Sequence, residues 1–268
     1  MIYTTLSINE IWVWVKKDMK DRHDRDKYWI GTSGWSYKHW EGRFYPQGLK
    51  SSDWLGFYAD HFRTVEVNAS FYRLPFKGMI TGWSRKAPPG FRFVIKGSRR
   101  VTHFQKLRNA GESIGLLLER LEPLREKILC ILWQLPPSLK QDLPLLKEFL
   151  SGLPTNYRYA MEFRHASWID DRTFRLLSEY HVAHCTVSAP RLPCDLTVTT
   201  DFAYVRFHGI TGWYNYDYSE KDLLWWRDAL LGIGEGVQRV LAYFNNDFEA
   251  RAVQNALRLQ QLIKDGDQ

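Results

Sequence analysis

Polar and charged side chains recur at the ends of short apolar segments in this chain, and these side chains could carry out chemistry. Each one falls near the carboxyl end of a segment whose pattern predicts a strand. The residues are Thr32, Glu66, Asn68, Lys96, Gln134, Glu162, Arg164, Arg206, His208, Asn245 and Asp247. A barrel lumen that only packs needs branched apolar side chains, so a polar ring at one end indicates a ligand site.

The segment Val65–Tyr72 shows this pattern most clearly and is predicted to be a strand. Its two valines alternate with Glu66 and Asn68, and a period of two places the valines on one face and the polar pair on the other. If helices cover the outside of the sheet, the polar pair faces inward. A buried carboxylate needs partners, so a buried ion pair of Glu66 with Arg206 is the alternative to a ligand contact.

The mixture of acids and bases predicts an anionic or polyhydroxylated ligand, which arginines bind while a carboxylate or imidazole transfers protons. We predict Glu162 as the general acid or base, with His208 and His165 as further catalytic residues. Lys96 is predicted to contact an anion, or to act as a Schiff-base nucleophile if burial and neighbouring cations lower its pKa. The predicted substrate-binding residues are Glu66, Asn68, Lys96, Arg164, Arg206, Asn245, Asp247, Trp35, Tyr72 and Trp168.

A divalent metal site is the competing interpretation of the same residues. Its ligands would come from Glu66, Glu162, His103, His165, His208 and Asp247. Lys96, Arg164 and Arg206 would oppose a cation among them, so an anionic ligand fits the set better, and the sequence leaves metal dependence undecided. A metal-assisted phosphodiesterase similar to the endonuclease IV type of barrel is a sub-case, and the sequence leaves the cofactor unknown.

The elements that must position these residues alternate from Tyr28 onward. Predicted strands are Tyr28–Thr32, Val65–Tyr72, Phe91–Lys96, Ile128–Leu135, Arg158–Phe163, Val182–Val187, Tyr204–His208 and Val237–Phe244. Predicted helices lie near Ser52–Phe62, with Ser51 or Ser52 as N-cap, Lys77–Lys86, Glu112–Leu124, Leu143–Leu150, Asp170–Tyr180, Glu220–Leu231 and Phe248–Ile263. Eight strand-then-helix units predict an α/β fold, a TIM-like (β/α)8 barrel of parallel strands with outer helices. A doubly wound sheet is the alternative, but the first loop lacks a G-x-G-x-x-G fingerprint.

Length and composition predict one large domain without a membrane span. The chain has 268 residues, 44% of them hydrophobic, and no run of 18 apolar residues. We predict a single domain over residues 28–268, preceded by an extension of residues 1–27 that does not have the order of a signal peptide. The three cysteines lack metal or disulfide spacing, and we expect a cytoplasmic protein.

The charge distribution is uneven, and it leaves a second function open. The net charge is +7, and the stretch from residue 67 to residue 111 contains ten Lys or Arg residues but no Asp or Glu. Aromatic residues are frequent in the loops that follow the predicted strands, and their flat faces stack on sugars or unpaired bases. The alternative to a hydrolase or lyase is therefore a non-catalytic nucleic-acid-binding protein that uses this basic segment.

Seven motifs together resemble the YecE-like family, a widespread domain of unknown function with a TIM-barrel-like fold. They are G-T-S-G-W-S-Y from Gly31, F-Y-P from Phe44, V-E-V-N-A-S-F-Y-R-L-P from Val65, Q-L-P-P from Gln134, E-F-R-H-A-S-W from Glu162, R-F-H-G from Arg206 and Y-F-N-N-D from Tyr243. The resemblance runs from about Tyr28 to the last helix and implies the barrel, but no reaction. Near the end of strand six, where the family usually has an acidic residue, this chain has Ser188.

Overall fold

Eight parallel strands form the centre of the fold in the computed structural model, which describes residues 27–266. The strands are β1 Tyr28–Thr32, β2 Thr64–Val67, β3 Arg92–Lys96, β4 Ile128–Gln134, β5 Tyr159–Glu162, β6 Ala183–Ser188, β7 Phe202–Phe207 and β8 Arg239–Phe244. They are hydrogen-bonded in the order β1-β8-β7-β6-β5-β4-β3-β2. A single bridge between Ser33 and Glu66 joins the two outermost strands. The predicted TIM-like barrel class is confirmed, as a nearly closed barrel.

Helices surround this barrel. They are α1 Trp54–Ala59, α2 Ala69–Tyr72, α3 Lys77–Lys86, α4 Gly111–Leu121, α5 Leu143–Ser151, α6 Asp171–Glu179, α7 Glu220–Leu231 and α8 Arg251–Gly266. Shorter turns of 3-10 helix are Lys38–Trp40, Glu122–Lys127, Ala166–Trp168 and Phe248–Ala250, and Arg100–Phe104 is a π-helical turn. Within the described residues no helix lies between β6 and β7, so one of the eight predicted strand-then-helix units has no helix.

Two local predictions are wrong near the start of the barrel. The strand predicted over Val65–Tyr72 ends at Val67, because Asn68 adopts a helical backbone conformation and α2 begins at the next residue. The hydroxyl of Ser70 then donates a hydrogen bond to the Lys96 carbonyl, which ties α2 to the end of β3. Helix α1 follows Asp53 rather than Ser51 or Ser52, and no side chain caps it.

Strand alternation divides the apolar residues into an outer and an inner core. The outer core lies between strands and helices and includes Val65 and Val67. The inner core fills the lumen with side chains such as Val94, Leu132 and Tyr204. This is the arrangement predicted from Val65–Tyr72, with valines toward the helices, and it leaves the carboxyl ends of the strands for polar residues.

The seam between β1 and β2 depends on a glycine. A Cβ atom at Gly31 would overlap the backbone carbonyl oxygen of Thr64, so a larger residue would push the two strands apart. Beyond this contact, the Gly34 N–H donates to the Glu66 carbonyl oxygen at 2.7 Å. The barrel therefore closes beside the residues predicted to form the site.

Two further sequence-based predictions concern the N-terminal extension and the absence of a membrane span. The predicted extension, residues 1–27, lies outside the described residues except for Lys27. Among residues 27–266, no helix combines the length and apolar character that crossing a bilayer requires.

The segment between β6 and β7 takes the place of the missing helix and covers His184. This side chain is 4% exposed, packs against Phe163 and Phe174, and leaves its Nδ1 without a hydrogen-bond partner among the described residues. Burial lowers the pKa of His184 from 6.5 to about 4, although the nearby Asp195 opposes that shift. The folded protein therefore holds this imidazole neutral at neutral pH.

We expect the protein to lose stability in acid because of His184. The unfolded chain takes up a proton near pH 6.5 and the folded chain only near pH 4, so the free energy of unfolding falls between these values by up to about 3 kcal/mol. Urea unfolding at several pH values measures this effect. As the pH is lowered from 6.5 to 4, the free energy of unfolding should fall less in His184→Leu than in the wild type. The exposed His61→Gln is the control and should follow the wild type. If all three proteins lose the same free energy of unfolding between pH 6.5 and pH 4, His184 is not the cause of the loss.

Candidate functional site

The carboxyl end of the barrel brings together most of the predicted polar ring in a cluster that we call the mouth. The mouth consists of Ser33, Glu66, Asn68, Lys96, Glu162, Arg164, Arg206, His208 and Asn245. They come from β2, β3, β5 and β7 and from the residues that follow β1, β2, β5, β7 and β8. Parallel strands end at one face of a barrel, which is why residues far apart in sequence meet here.

Arg206 is the centre of this cluster and is completely buried. Its Nη1 donates to Glu162 Oε2 at 2.6 Å, and its Nη2 donates to Glu66 Oε1 at 2.6 Å and to Ser33 Oγ at 3.1 Å. Tyr204 donates to the other oxygen of Glu66 at 2.6 Å. A guanidinium suits this position because its fixed fork can bind two carboxylates at once.

Glu162, predicted as the general acid or base, has both carboxylate oxygens bound to arginines. Its second carboxylate oxygen accepts a hydrogen bond from Arg164 Nε, so both oxygens bind guanidinium groups. Burial alone would raise the pKa of Glu162, but Arg164 and Arg206 hold it far below its usual range. A carboxylate that stays ionised and doubly paired is a poor proton donor or acceptor. Its role is to orient the two arginines.

His208 is buried and neutral. Arg164 Nη2 lies 3.0 Å from its Nε2, and Asn245 Nδ2 lies 3.1 Å from its Nδ1. Since a guanidinium only donates, Nε2 must accept, and a neutral imidazole then carries its proton on Nδ1, with the Asn245 amide turned to present its oxygen. Burial lowers the pKa of His208 well below its usual value, and Arg164 and Arg206 add to this shift.

Lys96 differs from the other charged residues of the mouth because it has no carboxylate partner. It is 8% exposed, and its ammonium lies 4.1 Å from the centre of the Phe71 ring. In the part of the chain that the structure describes, no carboxylate lies within 4 Å of it, because Glu66 and Glu162 bind arginines. Burial lowers the pKa of Lys96 to about 7, and the charge of Arg206 contributes to the shift.

The mouth therefore carries more positive charge than its acids can balance. Glu66 and Glu162 are matched by Arg206 and Arg164, which leaves Lys96 in excess. Arg164 is slightly exposed and lies 4.8 Å below the ring of Trp213, a partly exposed residue. This arrangement can receive an anionic group between Lys96 and Arg164.

At the end of β1, the residue that faces the mouth differs from the one predicted. Thr32, predicted to face inward, donates to the Gly34 carbonyl and contacts Tyr58 of α1 on the outer side of the strand. Ser33 faces the mouth instead, where its hydroxyl donates to Glu66 and accepts a hydrogen bond from Asn68 Nδ2 at 2.8 Å. The small residues of the G-T-S-G motif allow β2 to come close. They were the one feature of the sequence that could have indicated Ser33 as the residue at the site.

Besides Tyr72, four predicted site residues are not part of the mouth. His165 caps the turn Ala166–Trp168 by accepting the Ser167 N–H, so a catalytic role is not supported. Trp168 is fully buried, stacks on Phe163 and donates its indole N–H to the Leu139 carbonyl. The remaining two are Trp35, which is buried against Trp83 and Phe93, and Asp247, which lies 3.6 Å from His39.

Asp247 belongs to a neighbouring cavity of about 580 Å³ on the same side of the barrel. Its lining residues are His39, Arg43, Tyr214, Asn215, Asp247, Phe248 and Glu249. Burial raises the pKa of Asp247. Tyr72, which was predicted to bind substrate, lies outside the mouth and is exposed over 63% of its surface.

The residues named as alternative metal ligands do not form one group. Among residues 27–266, no three or more His, Cys, Asp or Glu side chains are arranged to hold a metal ion. His165 and Asp247 point to other partners, and Glu66 and Glu162 have their oxygens occupied. The donor set of the mouth does not fit a divalent cation, since it contains two arginines and a lysine.

Comparison with known proteins gives a family but no activity. A family model described as "Protein of unknown function DUF72" matches residues 29–268. The UPF0759 protein YecE of Escherichia coli K12 is 33% identical over 138 residues, 51% of this chain and 48% of YecE, so the match spans about half of that relative. The UPF0759 protein YunF of Bacillus subtilis is 25% identical over 88% of this chain and 94% of its own length.

Solved structures of relatives share the barrel. A DUF72 family protein from Thermotoga maritima superposes with a TM-score of 0.82 and 31% identity, over 89% of this chain and 99% of its own. A DUF72 family protein from Enterococcus faecalis has a TM-score of 0.78 at 23% identity, over 88% and 95% of the two chains, and supports the fold alone. The resemblance indicated by the sequence motifs is confirmed.

Proposed function

The chain belongs to the DUF72 family of proteins of unknown function, and from that premise we propose that it is an enzyme, a hydrolase or lyase, acting on a small phosphate- or carboxylate-bearing substrate at the mouth. The observation that carries the proposal is that Lys96 is buried in the same polar cluster as Arg164 and has no carboxylate partner among the described residues, at the end of the barrel where such folds hold their active sites. A polyhydroxylated substrate such as a sugar phosphate fits the same group.

The neighbouring polar groups support a hydroxylated anion as the substrate. Arg164 is held by Glu162 and His208, so its guanidinium is fixed in place before a ligand arrives. The oxygen of Asn68 is buried without a hydrogen-bond partner among the described residues, and a substrate hydroxyl would satisfy it. The partly exposed ring of Trp213 supplies a flat face beside Arg164.

We expect Arg164→Met to weaken anion binding at least tenfold, since it removes a fixed charge-assisted donor. Thermal shift measurements with a panel of sugar phosphates and keto acids would identify ligands, because a ligand that binds only the folded state raises Tm. Titration of the best ligand into both proteins then gives the ratio of Kd values, and product analysis tests turnover.

The matched control is Arg172→Met. Arg172 is an exposed arginine that also pairs with a carboxylate, Asp170 at 2.7 Å, but lies outside the mouth. The Arg172→Met variant should bind the anions of the panel with the same Kd values as the wild type. If no anion of the panel raises Tm, or if both variants bind equally well, the mouth is not the substrate site.

A second candidate function, nucleic-acid binding, is favoured by one surface next to the mouth. Tyr72, Phe76 and Phe104 are exposed over 63%, 67% and 70% of their surface. The guanidinium of Arg99 lies 5.8 Å from the Tyr72 ring and 5.4 Å from the Phe104 ring. Exposed aromatic faces beside arginines, in a stretch without acidic residues, suit stacked bases and phosphates.

Fluorescence anisotropy with short single-stranded and duplex DNA and RNA, at two salt concentrations, tests this candidate. A plot of the logarithm of the binding constant against the logarithm of the salt concentration should have a slope of about −1 for each phosphate neutralised. The double substitution Arg99→Glu and Arg100→Glu should abolish binding. Tyr72→Ala should weaken single-strand binding more than duplex binding. Absence of binding at low salt would remove this candidate and leave the enzyme proposal unaffected.

A further inference from the structure

The environment of Lys96 is unusual for a lysine with a structural role. Two carboxylates lie in the same cluster, yet both bind arginines, and Lys96 Nζ lies over the π-surface of Phe71 with no carboxylate within 4 Å among residues 27–266. Burying an unpaired ammonium is costly, and a lysine kept only for packing would be replaced by an apolar residue. Lys96 as a residue is 8% exposed, and it is the last residue of β3, at the end of the strand where the mouth lies.

Burial favours the neutral form of Lys96. It is the main reason why the pKa of Lys96 is lowered to about 7; the charges of Arg206 and, least, Arg164 act in the same direction, and those of Glu162 and Glu66 act against it. A substantial fraction of the amine is therefore unprotonated at neutral pH, and an unprotonated amine is a nucleophile. His103 contacts the same Phe71 ring, with ring centres 5.1 Å apart, and its own pKa is lowered by burial and by Lys96.

We propose that Lys96 is an imine-forming nucleophile, and that the substrate is a small aldehyde or ketone that carries a phosphate or carboxylate group. This inference rests on the proposed function and narrows it to a lyase. The amine nitrogen bonds to the carbonyl carbon, and the carbonyl oxygen leaves as water with the two protons of the amine. Arg164 binds the anionic group and so directs the carbonyl toward Lys96.

The imine accounts for the cleavage step without any other reactant. Once protonated, it accepts the electron pair of the bond between the α-carbon and the β-carbon. The β-fragment leaves as carbon dioxide from a carboxylate, or as an aldehyde when the β-hydroxyl gives its proton to water. The resulting enamine takes a proton at carbon, and water hydrolyses the imine to release the second product and the free amine.

Reductive trapping tests the inference. The protein is incubated with pyruvate, dihydroxyacetone phosphate or acetone and sodium cyanoborohydride at pH 7, and the adducts are located by peptide mass spectrometry. We expect one adduct per chain, at Lys96, formed at least tenfold faster than at exposed lysines such as Lys140, and faster with the two anionic carbonyls than with acetone. Trapping at Lys96 should level off above about pH 7, whereas trapping at exposed lysines continues to rise.

Lys96→Met should lose the fast adduct, and Lys140→Met should keep it. The comparison of sites within the wild-type protein holds even if the Lys96 variant folds poorly. Adducts spread evenly over surface lysines would overturn the inference. If anions bind at the mouth and Lys96 is not trapped, the imine inference fails and the proposed anion site stands; if anions do not bind either, both fail.

Discussion

Arg206→Met should lower the free energy of unfolding by about 5 kcal/mol, since breaking a buried ion pair costs roughly 3–5 kcal/mol and this change strands two carboxylates. Arg206 is fully buried, and Glu66 and Glu162 are its two acidic partners at 2.6 Å each. Without the guanidinium, Glu66 and Glu162 lose the partner they share. Among residues 27–266, Arg164 then still donates a hydrogen bond to Glu162, and the neutral His208 lies 3.8 Å from it. Urea unfolding followed by circular dichroism measures the loss.

The control for this substitution is Arg258→Met on α8. Arg258 also binds a carboxylate through two nitrogens, at Glu220, but both side chains are exposed. Exposed pairs contribute roughly 0–1 kcal/mol, so this variant should remain close to the wild type. Adding Glu66→Gln and Glu162→Gln to Arg206→Met should recover part of the stability. An Arg206 variant as stable as the Arg258 variant would refute the described network.

Lys96→Met should have the opposite effect and stabilise the protein, by about 2–4 kcal/mol at pH 6. The folded state holds this amine with a pKa of about 7, against 10.5 for an ordinary lysine, so below pH 7 the protonated, buried form is present at its full cost. Between pH 7 and pH 10.5 the unfolded chain binds more protons than the folded one, and the wild type gains stability as pH rises. The advantage of the variant should therefore shrink over that range.

Unfolding curves of Lys96→Met and the wild type at pH 6, 8 and 10 would measure this difference. Other groups that titrate in alkali are common to both proteins, so they largely cancel in the comparison. Lys140→Met, at an exposed position, should leave stability unchanged at every pH. A destabilised Lys96→Met variant, or a difference independent of pH, would contradict the description of Lys96 as a buried and unpaired amine. A residue kept at the expense of stability is typical of function.

The fold and the direction of several side chains followed from periodicity. Alternation along Val65–Val67 predicted that Glu66 faces inward, and the same reasoning predicted this for Arg206. The sequence also allowed a buried ion pair between them, and the structure contains it. The prediction that Thr32 faces the site was wrong because β1 ends beside a glycine-rich turn. There, the approach of β2 decides whether Thr32 or Ser33 faces inward.

The chemistry of the individual acids could not be derived from the sequence. Glu162 looked like a general base because its strand position is correct, but its pKa depends on Arg206, 44 residues away, and on the direction in which Arg164 turns. The loop residue Trp168 was predicted at the rim, yet its indole binds the Leu139 carbonyl, a contact between two separate loops. Such contacts are set by tertiary packing, which local patterns do not encode.

The condition stated for Lys96 could be checked only in three dimensions. A lysine at the end of a strand is commonly an anion contact, and the sequence left its role as a nucleophile dependent on burial and neighbouring cations. Both are present, since Lys96 is 8% exposed and Arg206 and Arg164 act on its pKa. The arginines reach it from β7 and from the residues after β5, which no pattern near Lys96 predicts.

The most direct test of the mouth as an anion site is calorimetric titration of sulfate at pH 8 in buffers of different ionisation enthalpy. Sulfate does not titrate near this pH, so any proton taken up on binding comes to the protein. We predict uptake of about 0.5–0.9 protons per sulfate in the wild type, as the anion recharges Lys96, and none in Lys96→Met. Absence of sulfate binding, or equal proton uptake in both proteins, would contradict the account.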